Sequence, residues 1–124
     1  VTPDRVMDTR DGTGGVPIAR VGNTNGITPD LAFTITGKGG VPTTGVDAVS
    51  LNITATQTTA PDVGGYVTVY PCATGRPNVS NLNFTNGQTT PNTVIVPVDT
   101  NGQICLHVYG TAHLIIDVNG WFQN

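Results

Sequence analysis

Apolar residues recur at every second position in short runs, and turn-forming pairs break those runs about every eight to twelve positions. In Ala48–Thr56, Val49, Leu51, Ile53 and Ala55 alternate with Ser50, Asn52, Thr54 and Thr56. Leu31–Thr36 sets Leu31, Phe33 and Ile35 on one face, and Ser80–Phe84 does the same with Leu82 and Phe84. Thr93–Val98 groups Val94, Val96 and Val98, with Pro97 marking an edge or a strand end. His113–Asn119 sends Leu114, Ile116 and Val118 inward and His113, Ile115, Asp117 and Asn119 outward. Arg5–Asp8, Ile18–Val21, Tyr66–Cys72 and Gln103–Tyr109 complete about nine short strands. The breaks are Asp11-Gly12, Gly14-Gly15, Asn25-Gly26, Gly39-Gly40, Gly64-Gly65, Asn86-Gly87, Asn101-Gly102 and Asn119-Gly120. No stretch carries a useful helical period. The pattern predicts an all-β, antiparallel β-sandwich of jelly-roll type, with residues 1–124 as a single domain.

Charge is scarce. Only 10% of residues are charged, against roughly 25% in ordinary soluble domains. The net charge of −3, with one Lys and four Arg, gives no basic patch and argues against nucleic-acid binding. No apolar run is long enough to span a bilayer, so no membrane insertion is expected. An opening at Val1, without a basic and apolar leader, fits a processed secreted protein or an excised module.

Cys72 and Cys105 are the only cysteines. If Val67 and Val69 face the core, and Ile104, Leu106 and Val108 do too, both cysteines fall on the opposite face of neighbouring strands. That parity permits a disulfide, and with it an oxidising, extracellular location, secreted or on the cell surface.

Catalytic signatures are missing: there is no nucleophile elbow, no zinc-protease motif and no phosphate loop. His107 and His113 both sit on strands, and all eight acidic residues are Asp. The protein is therefore not expected to be an enzyme. Asp8, Asp11, Asp117 and Asn119 are the candidate metal ligands, because Asp in glycine-turn contexts offers the carboxylate, amide and carbonyl oxygens that Ca2+ takes. The alternative is that these Asp residues cap turns and pair with Arg5, Arg10 and Arg20. Trp121 and Phe122 are candidate interface residues beyond the last strand, with Trp121 as a plug of the sandwich end as the other reading. Tyr66, Tyr70 and Tyr109 share the outward parity of the cysteines and form a candidate aromatic stripe.

Three stretches resemble a secreted bacterial module found in extracellular proteins of actinobacteria and related environmental bacteria. They are Arg5-Val-Met-Asp-Thr-Arg-Asp-Gly-Thr-Gly-Gly15, Ala48-Val-Ser-Leu-Asn-Ile-Thr-Ala55 and Leu114-Ile-Ile-Asp-Val-Asn-Gly-Trp-Phe122. The chain also looks like β-sandwich subunits that polymerise into extracellular filaments through rows of calcium ions. The matching positions are Asp8, Arg10, Asp11, Gly12, Asp117, Asn119, Gly120 and Trp121. This resemblance implies a calcium-associated sandwich with a structural or surface role. Two functions follow as expectations. One is a structural subunit that assembles with copies of itself in a calcium-dependent way, as a filament or surface layer. The other is a carbohydrate-binding module that uses Tyr66, Tyr70, Tyr109 or Trp121 against glycans, with calcium purely structural.

Overall fold

The computed structural model describes residues 4–22 and 30–123. Among these residues the chain forms nine strands, all paired antiparallel: β1 (Asp4–Asp8), β2 (Val21–Gly22), β3 (Leu31–Thr34), β4 (Val46–Thr59), β5 (Gly65–Pro71), β6 (Leu82–Phe84), β7 (Thr90–Pro97), β8 (Gln103–Tyr109) and β9 (Thr111–Gln123). A single 3-10 turn, Cys72–Thr74, follows β5. One sheet runs β1-β9-β4-β7, with β2 also on β9; the other runs β3-β8-β5-β6. Strands distant in sequence thus pair and the chain passes repeatedly between the two layers, which is the winding of a double-sheet jelly roll.

The alternating apolar positions fill the space between the layers. Leu51, Ile53, Leu114 and Ile116 from one sheet, with Val67, Ile104 and Leu106 from the other, are fully buried. Each such side chain contributes about 1.5–3 kcal/mol on burial. Gly65 is required where β5 meets β6 and β8: a Cβ there would overlap the Phe84 ring and the Tyr109 carbonyl. The glycine lets the two strands close around that ring.

Several boundaries differ from the alternation. Two strands are long rather than short, with β4 at 14 residues and β9 at 13. Ile18 is not in a strand, and only Val21–Gly22 pairs; Pro17 removes a ladder donor and Ile18 is 69% exposed. Asn119-Gly120 is not a turn. Leu51 pairs with Val118 and Ser50 with Gly120, so Asn119 is the extra residue of a β-bulge and β9 continues through Trp121 and Phe122. The expected Asn25-Gly26 turn lies outside the described residues.

Candidate functional site

The terminal motifs meet, because β1 and β9 are neighbours: Arg5 pairs with Asp117 and Asp8 with Ile115 in the ladder. Cross-strand partners share a face, so Arg5, Asp8 and Asp117 lie together on the outer side of the sheet. The Asp8 carboxylate is only 2% exposed, yet it is fully engaged. Arg10 donates Nε to Oδ1 at 3.0 Å and Nη2 to Oδ2 at 2.9 Å, and the Arg10 backbone N–H donates to Oδ1 at 2.9 Å. Arg5 Nε donates to Asp117 Oδ1 at 3.0 Å, and its Nη1 stands 4.0 Å from Asp8. Asp11 turns away and accepts the Thr13 N–H and hydroxyl at 3.0 and 2.7 Å. The Arg10 guanidinium holds the Asp8 carboxyl below its ordinary pKa range against the opposing effect of burial.

Asp8 and Asp117 are thus each paired with a guanidinium group, Arg10 and Arg5 respectively. Among the described residues no group of three or more His, Cys or Asp side chains is placed to hold a metal. A calcium ion wants six to eight free oxygens.

The cysteines are joined: Cys72 and Cys105 form a disulfide with a Cα–Cα distance of 4.9 Å. It fastens the 3-10 turn after β5 to the outer face of β8, where Cys105 pairs with Tyr70. On the same face Tyr66 pairs with Tyr109, and their rings stack with centroids 5.3 Å apart. Tyr70 departs from the expected exposed stripe. It is 7% exposed, and its hydroxyl donates to Asp30 Oδ2 at 2.5 Å. Burial first, and that hydrogen bond second, push the Tyr70 pKa up to about 12, so the phenol stays protonated.

Asp30 Oδ1 lies 2.7 Å from His107 Nδ1. Arg76 Nη1 stands 2.7 Å from the same Nδ1 and 2.9 Å from Nε2, so the guanidinium lies against the imidazole ring. Arg76 comes from the segment that leaves the disulfide and folds back over β5, where the Thr68 hydroxyl donates to the Val79 carbonyl at 2.6 Å. Between this segment and the sheet lies a groove of about 250 Å3, lined by Tyr66, Thr68, Arg76, Asn78, Val79 and Ser80, among others. Asp30, Arg76 and Asn78 carried no periodic signal, since they lie outside strands, and Ser80, expected to open the Ser80–Phe84 strand, precedes β6.

Trp121 pairs with the fully buried Val49, and Phe122 with Ala48. The bulge at Asn119 returns Trp121 to the inner face, where it is 40% exposed at the end of the sandwich and passes within 3.8 Å of where a Gly40 Cβ would sit. Phe122 faces outward at 50% exposure. Among the described residues no helix is long and apolar enough to cross a membrane. No family model, no curated protein and no solved structure matched the chain.

Proposed function

We propose that this jelly roll is an extracellular, non-catalytic carbohydrate-binding module, and that the groove beside Tyr66 takes a neutral sugar ring. The observation that carries the reading is the pairing of one aromatic wall with Arg76, Asn78 and Ser80 around a single groove. A sugar ring offers an apolar C–H face to an aromatic and a rim of hydroxyls to planar amide or guanidinium groups. The Tyr109 ring stacked behind Tyr66, and His107 behind Arg76, stiffen the two recognition elements, so less freedom is lost on binding. The Asp30–His107 contact resembles the orienting half of a catalytic triad. In this chain Arg76 Nη1 lies against both ring nitrogens of His107, 2.7 Å from Nδ1 and 2.9 Å from Nε2, so the ring is read as positioning that guanidinium. The disulfide supports an oxidising compartment.

Retention on insoluble and soluble polysaccharides tests the reading. Tyr66→Ala is expected to weaken retention about tenfold or more, in line with the loss of one stacked ring. Tyr70→Phe, which leaves the groove lining intact, should bind as the parent does. Failure of the parent protein to bind any neutral glycan overturns the proposal.

The assembly reading keeps one observation of its own. Phe122 and Ile95 are exposed on the outer face of the larger sheet, on strands that flank β4. Calcium-dependent self-association through that face is the alternative function, and its test belongs to the whole molecule.

A further inference from the structure

A second concavity lies on the larger sheet, where the loop after β1 meets the approach to β2 and the start of β9. It is a depression of about 490 Å3 lined by Arg10, Ile18, Ala19, Arg20 and His113. Its donors are fixed by the hydrogen bonds behind them. Thr9 is fully buried, and its hydroxyl oxygen accepts the Leu114 N–H at 2.9 Å. The Thr9 proton is thereby directed to His113 Nδ1, also at 2.9 Å. Nδ1 is then an acceptor, which places the proton of the neutral ring on Nε2. That nitrogen has no partner among the described residues. Arg10 spends Nε and Nη2 on Asp8 and keeps Nη1. Arg20 makes one long contact, 3.5 Å from Nη1 to the Thr59 hydroxyl.

The charges that act on the His113 ring are Arg20, Arg10 and Asp8. Arg10 is paired with Asp8 at 2.9 Å, whereas Arg20 makes no ion pair among the described residues and is the uncompensated cation of the depression. Ile18, with its side chain in solvent, supplies an apolar wall to the same depression. We propose that this corner binds a carboxylate monoanion, with Arg20 and His113 Nε2–H as the donors and Ile18 against the body of the ligand. A guanidinium matches the two oxygens of a carboxylate in its plane. A dianion would overcompensate the single positive charge and repel Asp8. The proposal stands independently of the Tyr66 groove.

The test follows the His113 ring and Ile18 methyl signals by NMR during titration with sodium acetate, sodium glucuronate, glucose and sodium sulfate at constant ionic strength. Both carboxylates are expected to move the two residues together and saturably, glucose to leave them unmoved, and sulfate to bind more weakly. Arg20→Gln, at an exposed position outside the core, should weaken carboxylate binding about tenfold. Tyr66→Ala should leave it unchanged, which separates this site from the glycan groove. No saturable shift with either carboxylate, sulfate binding as tightly as they do, or an unaltered affinity in Arg20→Gln would each overturn the assignment.

Discussion

Asp8 shows how one side chain can hold a turn and a strand pair at once. Its carboxylate bonds the Arg10 backbone and guanidinium, while its carbonyl accepts the Gly12 N–H at 2.9 Å. Gly12, at φ 82°, supplies the left-handed residue that this turn needs. The folded carboxyl titrates below its ordinary value of 3.8, chiefly through the Arg10 hydrogen bond. A group with a depressed folded pKa stabilises above its unfolded value and loses that contribution as pH falls through the folded one. His113 shifts in the same direction from 6.5, through burial first and then Arg20, so protonation favours the unfolded chain and stability falls as pH drops below that value. Urea midpoints against pH are thus expected to show two acid losses. The one below the ordinary histidine pKa should vanish in His113→Gln, and the one below the ordinary carboxylate pKa should shrink in Asp8→Asn, with Asp11, also held low by its Thr13 hydrogen bonds, supplying the remainder. At neutral pH Asp8→Ala should cost about 1–2 kcal/mol, because it leaves the part-buried Arg10 backbone N–H and the Arg10 guanidinium without their acceptor. A flat midpoint across the acid range would contradict both assignments.

Strands were readable from alternation; departures from alternation were not. Val49, Leu51, Ile53 and Ala55 lie inward as their spacing requires, and the shared parity of Cys72 and Cys105 correctly anticipated their bond. The bulge at Asn119 has no local signature, since Asn-Gly reads as a turn wherever a hairpin is possible. It is tertiary pairing with β4 that keeps Gly120 extended and sends Trp121 and Phe122 to opposite faces. The outward aromatic pair was visible by parity, whereas Asp30 and Arg76 reach it from loops that no period describes. A second irregularity interrupts β4, where Gln57 adopts φ 51° beside a register shift. This turns Thr58 inward, and its hydroxyl contacts the Thr85 and Gln88 carbonyls at 3.1 and 2.7 Å. Gln57→Val should therefore destabilise by about 1–2 kcal/mol, while Gln57→Asn should be neutral or mildly stabilising. Equal midpoints for the two variants would count against left-handed strain at this position. The disulfide closes a separation of 33 residues. Its removal in Cys72→Ser/Cys105→Ser is expected to cost about 3–4 kcal/mol by chain entropy and to loosen the Arg76 segment. Hydrogen exchange should quicken around Arg76 and Val79 first; unchanged protection there would show that the groove wall does not depend on the bond.

At the scale of the whole molecule, the sheet edges and faces determine whether copies join. The free edge of β7 carries Pro91 and Pro97, which have no N–H to offer, and β6 and β3 are short edges of three and four residues. Such edges discourage strand addition. The outer face of the larger sheet is a further candidate, with Ile95 at 65% and Phe122 at 50% exposure. Burying both on a neighbour would yield about 4–5 kcal/mol. That is at the lower end of the roughly 4–15 kcal/mol lost in translational and rotational freedom on association. Two anchors alone thus give no stable contact, and the Asp8–Arg10 and Asp117–Arg5 pairings leave few carboxylate oxygens free to share an ion across an interface. Sedimentation velocity is accordingly expected to show one boundary at the monomer's mass, in millimolar calcium and in chelator alike. Phe122→Ser should leave that boundary in place. A faster boundary that appears with calcium, disappears with chelator and is abolished by Phe122→Ser would instead establish the assembly function and displace the glycan reading. It would also require Arg5 and Arg10 to release their carboxylates, which Arg5→Gln would then make easier, strengthening association instead of weakening it.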